Sequence, residues 1–177
     1  MLKLIAKTLM QGPMTIDAPV KSDAAIEELG RAVERATRRR LGRSLMIREV
    51  DAGSCNGCEL EIHALNNPIY DIERFGIRFV ASPRHADVLM VTGPVTTNMA
   101  EALKRTYDAT PDPKWVVAIG DCAFDAGVFA GSYAVVGGVS AVVPVDLHIK
   151  GCPPTPSQML QGLLALLDRA DASTVAR

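Results

Sequence analysis

The residues best equipped for chemistry are the cysteines Cys55, Cys58, Cys122 and Cys152, the four in the 177-residue chain. Thiolates are soft ligands that suit zinc, copper(I) and iron–sulfur clusters. Cys55-Asn56-Gly57-Cys58 is a C-x-x-C knuckle, whereas Cys122 and Cys152 stand alone and far downstream. A structural zinc protein with an all-cysteine site would use the same ligands, but zinc ribbons pair two close knuckles. One close pair joined by two distant single cysteines therefore favours an iron–sulfur cluster over zinc. Glycine or proline accompanies every cysteine: Gly53 and Gly57, Gly120, Gly151, and Pro153-Pro154. Glycine allows the backbone to approach a bulky group closely, and hydrogen bonds to cluster sulfurs help set the potential.

Such distant ligands need a fold that gathers them. From residue 44 the chain alternates strand-like and helix-like segments. Leu45–Val50, Ile77–Ala81, Ala86–Thr92, Trp115–Ile119 and Ala141–Ile149 are strand candidates by length and apolar content. Asp87 is the polar exception in the third, and Pro144 pushes the last towards a sheet edge. Helices are expected over 58–66, stopped by Pro68, and from Asn98 with Glu101 as a cap-like start. Thr155 and Gln158 form a capping box with Pro156 at the first helical position. Met159, Leu160, Leu163, Leu164 and Leu167 then make an apolar stripe, and the chain is expected to fray after Asp168. This alternation predicts an α/β domain over 44–170 with a mainly parallel sheet, buried on both faces. Parallel strands would open the three cysteine loops at one C-terminal edge, where open α/β sheets place their ligands.

Upstream, residues 1–43 read as an N-terminal arm (1–21) followed by a basic helix over 23–41. Asp23 is its expected cap, and Ile26, Leu29, Val33 and Ala36 recur at helical spacing. Arg38-Arg39-Arg40 suits a helix C-terminus and a solvated face; a sharper reading is contact with anionic lipid or an acidic partner. Residues 171–177 read as a tail.

Net charge −1 and 48% apolar residues describe a globular chain, and they disfavour a disordered tail or a nucleic-acid binder. No apolar run reaches the length of a membrane helix. Lys7 splits the short apolar start, so it is read as mature sequence. An intracellular setting follows as an expectation, and there four cysteines point to metal more than to disulfides.

The flanking segments add a resemblance. Asp51-Ala52-Gly53-Ser54-Cys55-Asn56-Gly57-Cys58-Glu59, Glu73-Arg74-Phe75-Gly76-Ile77, Ser82-Pro83-Arg84-His85-Ala86-Asp87, Thr92-Gly93-Pro94-Val95-Thr96 and Pro144-Val145-Asp146 through Gly151-Cys152-Pro153-Pro154 occur in this order. Together they resemble the small electron-transfer subunit shared by membrane-bound, energy-converting [NiFe] hydrogenases, formate hydrogenlyase and respiratory complex I. The resemblance covers about residues 44–167. It implies a flavodoxin-like three-layer domain and one [4Fe–4S] cluster on Cys55, Cys58, Cys122 and Cys152, nearest a large catalytic subunit. It also implies a ferredoxin-like iron–sulfur subunit, integral membrane subunits, and a peripheral place on the cytoplasmic face of the membrane. The catalytic centre then belongs to another subunit, because this chain lacks the two C-x-x-C motifs that would hold nickel and iron.

Complex I subunits have adjacent cysteines at the first position, so C-N-G-C tilts the resemblance to the hydrogenase branch. Asp121-Cys122-Ala123-Phe124-Asp125 is more acidic and bulkier than the small, glycine-rich segment expected there. Glu59 is read as helix-dipole stabilisation, with redox-coupled proton movement as the functional alternative. The resemblance places Arg84 and His85 near the cluster, where cations would raise its potential; a surface-charge role is the alternative. His63 and His148 are read as ordinary helix and strand residues, and Trp115 as core.

Overall fold

The computed structural model describes residues 24–175, with side chains through 169. The arm over 1–21 and the expected cap Asp23 lie outside these residues. The described elements are α1 (Ala24–Leu41), β1 (Leu45–Asp51), α2 (Gly57–Ala64), β2 (Ile77–Phe79), β3 (Val88–Thr92), β4 (Val95–Thr96), α3 (Thr97–Ala109), β5 (Trp115–Ile119), α4 (Asp121–Asp125), β6 (Val135–Gly137), β7 (Leu147–Ile149) and α5 (Pro156–Val175).

Five strands form one parallel sheet in the order β2-β1-β3-β5-β7. Among the sheet strands alone this is the 2-1-3-4-5 order of flavodoxin-like folds. Strand periodicity divides the core into two layers. Val88, Met90, Val117 and Ile119 face α1, α2 and α5, meeting Val33, Ala36, Ile62, Met159, Leu160 and Leu163. Leu89, Val91, Val116 and Ala118 face the other way, towards Leu103, Ala123, Val139 and Val143. The central strands are apolar on both faces because both faces are covered.

The last helix starts as its sequence dictates. Thr155 N–H donates to Gln158 Oε1 at 2.8 Å, and Gln158 N–H donates back to Thr155 Oγ1 at 3.3 Å. Met159, Leu160, Leu163 and Leu167 are fully buried below it, each contributing about 1.5–3 kcal/mol. The helix continues beyond Asp168 to Val175, where a polar tail was expected.

Other boundaries differ for local reasons. The expected strand 141–149 is reduced to Leu147–Ile149, because Pro144 has no N–H for a ladder and Val139–Ala141 winds into a 3-10 turn. Its position at the sheet edge is the one Pro144 suggested. Helix α3 starts at Thr97, so Asn98 lies inside it. Thr96 precedes it without a side-chain cap, its hydroxyl donating instead to Ala52 O at 3.1 Å. Asp87 sits just before β3 and is buried, accepting Met46 N–H at 3.0 Å and two hydrogen bonds from Arg43.

The basic end of α1 is absorbed within the chain. Arg38 pairs with Glu34 at 2.8 Å, Arg39 with Asp168 at 3.1 Å, and Arg40 lies over the Trp115 ring. Trp115 itself packs against the core, as expected.

Candidate metal centre

Each cysteine loop begins where a strand ends. After β1, Asp51 Oδ1 accepts the N–H groups of Gly53 and Ser54, both at 2.8 Å, and Ser54 Oγ accepts Asn56 N–H at 3.1 Å. These local bonds satisfy the turn that presents Cys55, in the way short polar side chains usually do. Gly93, just past β3, has φ of 70°, and a Cβ there would lie 2.6 Å from Ser54 N. Its missing side chain lets the β1 and β3 loops touch.

After β5, Gly120 N–H donates to Ile149 O at 2.7 Å. Asp121 N–H donates to Gly151 O at 3.0 Å, and Gly151 N–H donates back to Asp121 Oδ1 at 3.0 Å. The Cys122 and Cys152 loops are thus joined by backbone and side chain together. Gly120 has φ of 88°, and a Cβ there would sit 2.7 Å from Cys58 Sγ. The absent methyl keeps space in front of a sulfur.

All four cysteines, none of them in a disulfide, line one cavity of about 110 Å³. Ser54, Gly57, Gly93, Asp121, Gly151 and Pro153 complete its wall. It lies past the C-terminal ends of β1, β3, β5 and β7, at the point where strand order reverses. Among the described residues, no three His, Cys, Asp or Glu side chains form a group that could hold a single metal ion.

The electrostatics discourage free thiolates. Burial pushes the Cys58 thiol up to about 12, reinforced by the negative charges of Glu59 and the other three cysteines. Burial likewise raises Cys122, with Cys152, Cys55 and Asp121 adding to the effect against a backbone hydrogen bond from Val128. A cationic group in the cavity would reverse that balance, since metal ions hold thiols deprotonated.

Glu59 occupies the first turn of α2, as expected, yet it is only 6% exposed and neither carboxylate oxygen has a hydrogen-bond partner. Helix-dipole placement does not account for that burial. His63 is exposed on α2. His148, on β7, meets the Phe124 ring edge-on with centroids 4.8 Å apart; burial and then Lys150 lower its pKa.

For Arg84 and His85 the structure agrees with the surface-charge reading and not with a place near the cysteines. They belong to a 3-10 turn that leads into β3, and they line a surface hollow with Arg43, Met46 and Asp87. Asp87 N–H bonds to the carbonyl of Met46, the second residue of β1, whereas Cys55 follows the far end of that strand. Strand β1 alone puts roughly 20 Å between the two ends. These cations lie at the opposite end of β1 from the cysteines, because the short β2–β3 connection that carries them joins Phe79 to Val88, both of which pair with Ile47 near the start of β1.

The sequence model of the family described as NADH ubiquinone oxidoreductase, 20 Kd subunit, matches residues 55–166, which include all four cysteines. The chain belongs to that family. Formate hydrogenlyase subunit 7 of Escherichia coli is 41% identical over 165 residues, covering 93% of this chain and 61% of that protein. The chain therefore spans less than two thirds of that relative. A "Probable membrane-bound hydrogenase subunit" of Pyrococcus furiosus is 47% identical over 129 residues, covering 73% of this chain and 77% of that one. Among solved structures, a chain of the membrane-bound sulfane sulfur reductase, an archaeal respiratory membrane complex, superposes with a TM-score of 0.66 at 33% identity. That match covers 79% of this chain and 76% of the other. The hydrogenase relative and the sulfane sulfur reductase are both described as membrane-bound; no helix among the described residues of this chain is long and apolar enough to cross a membrane.

Sequence reasoning missed the part played by Asp121, which it read only as an acidic departure. The signal was available: an aspartate directly after a strand-ending glycine is well placed to accept a loop N–H.

Proposed function

We propose that Cys55, Cys58, Cys122 and Cys152 hold one [4Fe–4S] cluster and that the chain is an electron-relay subunit of a membrane-associated [NiFe]-hydrogenase or formate hydrogenlyase-type complex. When bound, the cluster supplies a one-electron carrier. The chain passes electrons between a large catalytic subunit and a ferredoxin-like iron–sulfur subunit, and sits peripherally on the cytoplasmic face beside integral membrane subunits. The observation that carries this reading is the cavity lined by all four cysteines at the switch point of the sheet.

Zinc suits the site less well. Zinc ribbons pair two close C-x-x-C knuckles, whereas here one close pair, Cys55 and Cys58, is joined by two distant single cysteines that line the same cavity. The glycine at position 120 keeps Cys58 Sγ uncovered and leaves room for a bulkier inorganic group. The thiols of Cys58 and Cys122, raised by burial, would be held as thiolates by iron.

A second reading keeps the cluster and changes the assembly: the equivalent subunit of a complex I-type quinone-reducing enzyme, or of a nickel-free hydrogenase relative. The description of the matched family favours it, while C-N-G-C and the formate hydrogenlyase and hydrogenase relatives favour the first.

Anaerobic purification followed by iron, acid-labile sulfide and zinc analysis tests the cluster. One zinc without iron or sulfide would sink it. Cys122→Ala should abolish the reduced-state EPR signal, and a full signal in that variant would remove Cys122 from the ligand set. The two assemblies are separated by the sequence of the large subunit encoded beside this chain: two C-x-x-C nickel motifs decide for the hydrogenase.

A further inference from the structure

Helix α4 is only five residues long, and it carries Cys122. A helix this short has little stability of its own, so its position depends on what grips it. At its first residue, Asp121 exchanges two 3.0 Å hydrogen bonds with Gly151, one through the main chain and one through its carboxylate. At its fourth residue, the Phe124 ring takes the edge of His148 at 4.8 Å and the Lys150 ammonium at 5.0 Å from its centroid. Every one of these contacts goes to the stretch 148–151, directly before Cys152.

We infer that Asp121 is a positioning residue that makes the Cys122 and Cys152 loops one rigid unit, so that the protein sets the placement of these two ligands before any cluster binds. This deepens the cluster reading and rests on it. The carboxylate acts through hydrogen-bond acceptance and not through its charge. An amide at this position keeps the acceptor that ties Gly151 N–H to the Cys122 loop, while a methyl group gives that exposed N–H over to water.

The test compares the wild-type full-length chain with Asp121→Asn and Asp121→Ala. Cluster loss to an iron chelator is followed by visible absorbance. Exchange of the Gly151 amide is read by fragmentation mass spectrometry. Asp121→Ala is expected to lose its cluster about fivefold faster, the scale of one typical hydrogen bond, and to exchange the Gly151 amide faster while β3 amides stay protected. Asp121→Asn is expected to keep the wild-type half-life to within about twofold.

A wild-type half-life in Asp121→Ala overturns the inference, and so does rapid loss in Asp121→Asn, which would assign the effect to charge. Should Asp121→Ala not fold, an unprotected Gly151 amide in the wild type, or fast cluster loss from Asp121→Asn, still overturns it. A wild-type chain without iron or sulfide would instead sink the cluster reading, and Gly151 exchange would continue to report the tie.

Discussion

Arg43 grips Asp87 with two hydrogen bonds, of 2.6 and 2.9 Å, at the edge of the sheet opposite the cysteines. Asp87 is 5% exposed, and the same carboxylate accepts Met46 N–H. It therefore fixes the start of β1 and the entry to β3 together. Asp87→Ala leaves that N–H without a partner and is expected to cost about 1–3 kcal/mol, measured by urea denaturation. Cluster content per folded molecule should be unchanged, because the tie lies a strand's length from the cavity.

Gly120→Ala acts at the cavity itself. The added Cβ meets Cys58 Sγ at 2.7 Å and occupies a backbone conformation with φ of 88°. Expected outcomes are a loss of about 1–3 kcal/mol in folding stability and lower iron and sulfide content than wild type after anaerobic reconstitution. Full iron loading in the variant would show that the sulfur can move aside.

Gly30→Ala sets two effects against each other. Alanine in the interior of α1 is worth about 1 kcal/mol of helix propensity. The same methyl, however, would overlap the Phe75 ring, on which Gly30 lies directly. Overpacking of about 1–3 kcal/mol wins, and the variant is expected to melt lower. Adding Phe75→Leu to it should return part of the loss, which a double-mutant cycle would measure.

Glu49 supplies a pH dependence. Burial, with the charges of Glu59 and Asp51, raises its pKa above the ordinary 4.5, against the lowering effects of His63 and Arg48. A raised acid binds its proton more tightly in the folded state, so its contribution to stability is present in full below the unfolded pKa. That contribution is lost as pH rises through the folded one. Glu49→Gln is therefore expected to raise the melting temperature at pH 7 and to make no difference near pH 3. Equal melting temperatures across the whole range would place Glu49 in solvent.

Much of this architecture was legible because periodicity and local capping are local signals. The apolar runs at 86–92 and 115–119 marked central strands, the Thr155–Gln158 box marked the start of α5, and strand ends placed the cysteine loops on one edge. The boundaries that shifted are those decided by tertiary partners. Thr96 spends its hydroxyl on Ala52 O and leaves α3 uncapped, which no helix-start pattern reveals. Pro144 signalled the edge, while the shortness of β7 came from the 3-10 turn beside it. Arg84 and His85 were misplaced because a family motif carries residue types but not the end of the strand they adjoin. Asp121 was underrated for a similar reason: its partner is 30 residues away in sequence.

The ligand loops also carry a consequence for biosynthesis. Cys55 follows the first described strand and Cys152 follows the last, with β3 and β5 between them in the sheet. Cys122 and Cys152 follow β5 and β7, which pair directly, whereas Cys55 and Cys58 follow β1, which reaches β5 only through β3. On the cluster reading proposed above, cofactor insertion is a late event in maturation, one that acts on a nearly completed sheet and reports, by succeeding, that the sheet has closed in the right order.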